Sequence, residues 1–217
     1  MPPLAVAGVL LAAGGGSRLG QPKALVVLGG QSLVRRGIAL LRDGGTHPVI
    51  VVTGATGPDA DIGDGTGPGG AGSLEREPSV ISVHNPDWHT GMGSSLAVGL
   101  GAAPGESAAA VLALVDQPLI GPEAVRRLLA AHAAGASVAV ACYDGRPRNP
   151  VLISREHWPE VIALAVGDVG ARPFLRAHRD LVTEVECGDT GQPDDVDSPE
   201  DLARIEALLA GTAPFTT

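Results

Sequence analysis

The sequence predicts a Rossmann-like, three-layer α/β/α sandwich in which a mostly parallel, mixed sheet lies between two helical layers. Three observations carry that prediction. Short aliphatic runs alternate with longer stretches of helical character along the 217 residues, as they do when strands are joined through crossover helices. The aliphatic runs lack polar alternation, as expected of strands covered on both faces. Aromatic residues make up only 2 % of the chain, so the layers must pack through small aliphatic side chains.

Strands are expected at Val6–Leu11, Val49–Thr53, Val80–His84, Ala109–Val115, Val138–Cys142, Val151–Ile153 and Val182–Val185. Helices are expected at Ser32–Arg42, Ser94–Gly101, Pro122–Ala134, Arg155–Leu164, Ala171–Ala177 and Pro199–Leu209. Two of the helices open with recognisable signals. Ser198 stands before Pro199, Glu200 and Asp201, placing a hydroxyl at the N-cap, proline at the first helical position and acids where the helix dipole favours them. Gly121-Pro122-Glu123 opens its helix in a similar way. Gly54–Glu77 has almost no apolar residue and is expected to be a long flexible loop. Strands of one type flank it on both sides, so residues 1–217 are expected to form one domain.

The formal net charge of −9 argues against nucleic-acid binding, which wants a basic face. An acidic protein that handles a phosphorylated ligand must gather positive charge locally or recruit a metal ion. Cys142 and Cys187 lie far apart without metal-like spacing, and two isolated thiols suit a reduced, cytoplasmic protein. The apolar opening lacks a basic n-region and reaches Arg18 too soon for a membrane span. The expected class is a cytoplasmic enzyme or binding domain with neither nucleic acid nor membrane as partner.

Lys23 is the only lysine, against fourteen arginines. A single compact ammonium on a flexible stem, set in a glycine-rich turn, suits polyphosphate beside open backbone amides. An arginine-biased composition with one leftover surface lysine is the plainer reading. The expected strand Val6–Leu11 runs into Ala12-Ala13-Gly14-Gly15-Gly16-Ser17-Arg18-Leu19-Gly20. Successive glycines let backbone approach a ligand with no Cβ in the way. A dinucleotide fingerprint fails here, because counting from Gly14 puts Leu19 at the last glycine. A Walker loop fails too, since Gln21, Pro22 and Lys23 follow Gly20 where Lys and Ser or Thr should stand.

The remaining pattern, L-A-A-G-x-x-x-R-x-G-x-x-K, resembles the signature loop of the MobA-like nucleotidyltransferases. These enzymes move a nucleoside monophosphate from an NTP onto a phosphorylated acceptor. The resemblance implies the fold type of the nucleotide-diphospho-sugar transferases. It also implies that Leu11, Ala12, Ala13, Gly14 and Gly15 hold the nucleotide while Arg18 and Lys23 straddle the triphosphate. Such a transfer needs positioning and charge stabilisation more than covalent chemistry.

Asp116-Gln117-Pro118 follows the expected strand Ala109–Val115. A carboxylate there lies along the ligand-binding edge of an open α/β sheet, where it can hold Mg²⁺ or simply cap the next helix. The resemblance implies the metal role. LAAG together with D-Q-P resembles the molybdenum-cofactor cytidylyltransferase branch, whereas the guanylyltransferase branch more often shows LAGG and D-M-P. The stretch Asn85 to Leu96 is similar to that branch as well, and places Asn85, Ser94 and Ser95 near the nucleobase. As residues alone, the serines serve equally as helix caps, and His89 as a surface histidine. Asp194 to Leu202 resembles the family's D-x-D-T-P-E-D-L and makes Asp197 a second metal ligand, with Asp195 competing. Glu200 and Asp201 are expected only to favour the helix dipole. Arg148, Asn149 and Arg172 complete the resemblance as candidates for the acceptor phosphate. Related sequences usually carry histidine where Asn149 stands, and exposed loop arginines are the plainer reading of the other two.

The resemblance covers nearly the whole chain except Gly54–Glu77. It implies Mg²⁺-dependent transfer of CMP from CTP to the phosphate of a molybdopterin-type cofactor, and a hand-off of the product to a molybdenum hydroxylase. A guanylyltransferase or a sugar- or alcohol-phosphate transferase of the same fold is one alternative. A non-catalytic, chaperone-like binding module is another, and it predicts NTP binding without pyrophosphate release.

Overall fold

The structure, a computed structural model, describes residues 5–57 and 80–211. The expected loop at Gly54–Glu77 lies outside the described residues from position 58 onward. Its first residues form a turn, Gly57 N to Gly54 O at 2.9 Å, tied back to the glycine loop by Ala55 N to Ala13 O at 3.0 Å. No helix among the described residues is long and apolar enough to cross a membrane.

The strands are β1 (Val6–Leu11), β2 (Val27–Leu28), β3 (Gln31–Ser32), β4 (Val49–Thr53), β5 (Val80–His84), β6 (Ala109–Leu114), β7 (Val138–Tyr143), β8 (Arg146–Ser154) and β9 (Val182–Glu186). The helices are α1 (Leu33–Asp43), α2 (Met92–Gly101), α3 (Pro122–Ala133), α4 (Trp158–Leu164), α5 (Arg172–Ala177) and α6 (Pro199–Gly211). Seven strands form one sheet in the order β5-β4-β1-β6-β8-β7-β9. Every pairing is parallel except the two made by β8. The fold is therefore the predicted mostly parallel, mixed sheet.

Successive residues of each central strand point to opposite faces, and the two faces carry separate cores. Leu10, Val49, Val51 and Val111 meet Leu33, Ile38 and Leu41 of α1, Val125 and Leu128 of α3 and Ile205 of α6. Val9, Ile50, Val52 and Leu112 meet Leu96 and Leu100 of α2, Trp158 and Val161 of α4 and Phe174 of α5. Two glycines let helix backbone settle directly on β1, one from each side. A Cβ on Gly37 would lie 2.6 Å from Leu10 Cδ1, and one on Gly99 only 2.5 Å from Val9 Cγ1. Close approach of this kind is what a core poor in aromatic side chains demands, and it fixes the strand that feeds the glycine loop.

Five strands depart from expectation, in three ways. β8 begins at Arg146, not Val151, and runs antiparallel to both neighbours. It is reached from β7 through Asp144 and Gly145, whose φ of +52° and +69° are those of a type I′ hairpin. Gly29 and Gly30, with φ of +57° and +79°, turn the unpredicted β2–β3 hairpin in the same way. β5 and β9 are edge strands with exposed positions, so they are not covered on both faces.

Candidate active site

The carboxyl ends of the adjacent parallel strands β4, β1 and β6 open at one edge of the sheet. From β1 the chain adds β4 and β5 on one side and later β6 on the other. Such a reversal leaves a crevice outside the strand ends, the usual ligand position of an open α/β sheet.

The glycine loop fills one wall of that crevice. Leu11 closes β1, and Ala12 N donates to Val52 O at 3.0 Å. Gly16 turns the loop with φ of +58°, and a Cβ there would lie 2.1 Å from Gln21 O. Leu19 N to Gly16 O at 2.9 Å and Lys23 N to Gly14 O at 3.2 Å close the turn. Among the described residues the amides of Gly14 to Arg18 donate no hydrogen bond within the protein. A run of open amides of this kind is an anion cradle.

Lys23 begins a short 3₁₀ turn, Lys23–Leu25, and sends its ammonium across the crevice. Nζ donates to Asp116 Oδ2 at 2.6 Å and to Asp197 Oδ1 at 2.5 Å, with side-chain exposures of 17 %, 18 % and 35 % for Lys23, Asp116 and Asp197. Burial pulls the Lys23 pKa down, but the charge of Asp116 and the hydrogen bonds to both carboxylates outweigh it, so the pKa lies above the ordinary lysine value. Arg18, far more exposed, reaches Asp197 Oδ2 at 3.4 Å.

Asp197 arrives beside Asp116 because the segment after β9 runs along the loop that follows β6. Gly121 N donates to Thr190 O at 2.9 Å, Gln192 N to Leu119 O at 3.2 Å and Val196 N to Asp116 O at 2.8 Å. Asp195 instead accepts from Gln117 Nε2 at 2.9 Å. Solvent still reaches Asp195, yet the surrounding protein desolvates its carboxyl and Asp116 repels its charge, which raises its pKa. Asp201 does more than favour the helix dipole. Its Oδ2 accepts from the amides of Asp197 and Ser198 at 3.2 and 3.0 Å, while its own amide donates to Ser198 Oγ at 3.2 Å. That reciprocal capping box anchors α6 and aims Asp197.

The cleft encloses about 470 Å³ and is lined by Leu11, Ala13, Gly14, Gly15, Lys23 and Asp116, with Arg18 and Asp197 at its charged end. Trp88, Met92, Ser95 and Asp168 also line it. The charged lining holds two cations, Arg18 and Lys23, against the three carboxylates of Asp116, Asp168 and Asp197. A triphosphate entering here needs further positive charge. Asp116 Oδ1 is buried without a hydrogen-bond partner, and the donor set consists of hard carboxylate oxygens. Two such groups fit Mg²⁺ or a similar ion, which takes its other ligands from phosphates and waters. Among the described residues no group of three or more His, Cys, Asp or Glu is arranged to hold a metal unaided.

Asn85 does not face the cleft. It is 1 % exposed, its amide donates to Ser94 Oγ at 2.8 Å and Ser95 Oγ at 3.0 Å, and its Oδ1 accepts from Asp87 N at 3.0 Å. The polar groups of Asn85 are thus committed to shaping the turn ahead of α2. Helix α2 starts at Met92, two positions before the expected Ser94, so the serines sit inside its first turn instead of capping it. Asp168 Oδ1 accepts from Met92 N at 3.1 Å, which already supplies that helix end with an anion. Ser95 lines the cleft, whereas Ser94 turns its hydroxyl to Gly91 O at 2.9 Å. Arg148 and Asn149 on β8 and Arg172 at the start of α5 lie outside the lining. Sequence reasoning left Trp88 and Asp168 unassigned. The available signals were Gly167 and Gly170 on either side of Asp168 and the turn Asn85-Pro86-Asp87 ahead of Trp88.

An anion cradle, a charge-clamped lysine and two carboxylates beside the carboxyl ends of the central strands suit a nucleotide-handling transferase. The model of the MobA-like NTP transferase domain matches residues 8–182, and the chain belongs to that family of nucleotidyltransferase enzymes. Asp195 and Asp197 lie beyond the matched span. The chain is similar to nicotine blue oxidoreductase of Paenarthrobacter nicotinovorans, with 38 % identity covering 92 % of this chain and 96 % of that one. It is 31 % identical to phosphoenolpyruvate guanylyltransferase of Rubrobacter xylanophilus over 81 % of this chain and 78 % of that one. Among solved structures, the manganese complex of Rv0371c from Mycobacterium tuberculosis superposes with a TM-score of 0.71 at 25 % identity, covering 94 % and 98 % of the two chains.

Proposed function

We propose that this protein transfers CMP from CTP to the phosphate of a molybdopterin-type cofactor and releases pyrophosphate. The observation that carries the reading is the Lys23 ammonium held between Asp116 and Asp197, beside the open amides of Gly14 to Arg18. Those amides bind the β- and γ-phosphates, and Arg18 and Lys23 stabilise the charge that grows on departing pyrophosphate. An oxygen of the acceptor phosphate attacks the α-phosphorus, a new P–O bond forms, and the bond to the β-phosphate breaks. The acceptor is already ionised, so no general base is required, and His89, exposed in the cleft lining, is given no catalytic role. Asp116 and Asp197 hold Mg²⁺, which supplies Lewis-acid polarisation of the phosphates when bound. Arg148, Asn149 and Arg172 take the acceptor side, beyond the nucleotide cleft. The product then passes to a molybdenum hydroxylase in the cytoplasm.

Pyrophosphate release, measured with CTP, GTP, ATP and UTP against molybdopterin cofactor and several sugar phosphates, tests this. CTP with the pterin should be the best pair. Asp116→Asn should lose metal activation, and unchanged activation would remove Asp116 from the ligand set. NTP binding with no pyrophosphate from any pair would instead identify a binding module.

A second reading is favoured by one observation, the oxidoreductase name of the 38 % identical relative. The same amide cradle accepts the pyrophosphate of a dinucleotide as readily as a triphosphate. Oxidation of NADH or NADPH by a quinoid dye such as nicotine blue, without pyrophosphate release, would decide for it.

A further inference from the structure

We propose that Trp88 forms the nucleobase wall of the cleft, with its indole stacked on the base of the bound nucleotide. This rests on the nucleotide reading above and extends it from the phosphates to the base.

Adjacent glycines divide the cleft into two ends. A Cβ on Gly14 would point to Lys23, 4.0 Å from its Cδ, while one on Gly15 would point to Trp88, 3.2 Å from Cη2 and 3.3 Å from Cζ3. On the Lys23 side, Arg18, Asp116 and Asp197 join the lysine in one hydrogen-bonded cluster. That end is made for phosphate. On the Trp88 side the lining turns to Met92, Ser95 and Gly91, a less charged surface in which Asp168 has one oxygen committed to Met92 N.

The indole is held in place before any ligand arrives. A Cβ on Gly54 would lie 2.5 Å from Trp88 Cβ and 2.6 Å from Cγ, so the turn after β4 grips the root of the side chain. Gly91 N donates to Trp88 O at 3.2 Å, and the Asn85–Ser94–Ser95 cluster fixes the same turn from beneath. The ring is not packed away, for Trp88 stays partly exposed. The other aromatic residues among the described ones, Tyr143, Trp158 and Phe174, are all core residues. A rigid, half-open aromatic face beside a phosphate cradle is suited to stacking a planar heterocycle.

The test compares a ligand that has a base with one that lacks it. Binding of CTP and of inorganic tripolyphosphate is measured by calorimetry for wild type, Trp88→Leu and Trp88→Phe. Trp88→Leu should weaken CTP about tenfold or more, as loss of base–aromatic stacking does, and leave tripolyphosphate unchanged. Trp88→Phe should restore most of the loss. In a Trp158→Phe background Trp88 is the sole tryptophan, and its fluorescence should respond to CTP but not to tripolyphosphate. Equal loss of both ligands in Trp88→Leu, or of neither, overturns the assignment of Trp88. Failure of wild type to bind CTP and tripolyphosphate alike would overturn the nucleotide reading itself.

Discussion

Replacing Lys23 by methionine removes the one cation between Asp116 and Asp197 and leaves two carboxylates facing each other. The ammonium makes hydrogen bonds of 2.6 and 2.5 Å, and the lysine and Asp116 side chains are only 17 % and 18 % exposed. Each charge-assisted bond contributes about 1.5–3 kcal/mol, and breaking a well-buried pair costs about 3–5 kcal/mol. Because Asp197 is 35 % exposed and solvent relieves part of the repulsion, a loss of about 3 kcal/mol is expected. For a chain of this size that lowers Tm by about 6–12 °C. Turnover should fall by about 10²–10³, as it does when a preorganised charge stabiliser is lost. Thermal melting with and without Mn²⁺ provides the assay. The variant should regain much of the lost stability with the metal, since a divalent cation can then serve both carboxylates. Wild type, whose carboxylates already have their counterion, should gain less. A variant that melts with wild type, or that ignores Mn²⁺, would refute the clamp.

Tyr143 is the only tyrosine, and burial pushes its pKa up to about 12. The folded state thus holds its proton more tightly than the unfolded state, so this contribution to stability is complete below about pH 10 and is lost as pH rises toward the folded value. Alkaline melting curves should show wild type losing about 2–3 kcal/mol between these limits, with Tyr143→Phe sparing that loss, and ultraviolet titration should find the phenol ionising late. Gly16→Ala forces a left-handed φ of +58° on alanine and drives its Cβ against Gln21 O. It should cost about 2 kcal/mol or more in urea unfolding and weaken tripolyphosphate binding. Ser198→Ala breaks the capping box at α6 and should cost about 1 kcal/mol, with metal affinity falling as Asp197 loosens.

The central sheet was readable because buried parallel strands are continuous aliphatic runs. Val6–Leu11 and Val49–Thr53 appear with their expected limits. β8 was only partly readable, since Pro147 and Pro150 look like loop residues and obscured the hairpin signal of Asp144-Gly145. Lys23 stood out as the only lysine, set in a glycine-rich turn, and Asp116 as a carboxylate at the end of an aliphatic strand. Their engagement with Asp197 depends on a ladder between segments about 75 positions apart, which no local pattern encodes. Asn85 has the residue type of a ligand contact but proved to be a buried brace, because burial of a polar side chain is decided by its tertiary partners. Trp88 was hidden for a related reason, as only packing shows which of the few aromatic rings stays open.

The late arrival of Asp197 also sets when the site can exist. Synthesis delivers residues from the N-terminus at about 5–20 per second, so the amide cradle, Lys23 and Asp116 emerge well before the segment after β9 that runs beside them. Lys23 must wait for a partner 174 positions downstream. Until the last part of the chain has docked along the loop after β6, the lysine has one carboxylate instead of two. A growing chain can therefore build most of its sheet without yet owning the charge balance of the finished cleft, and competence comes only once Asp197 has docked beside Asp116.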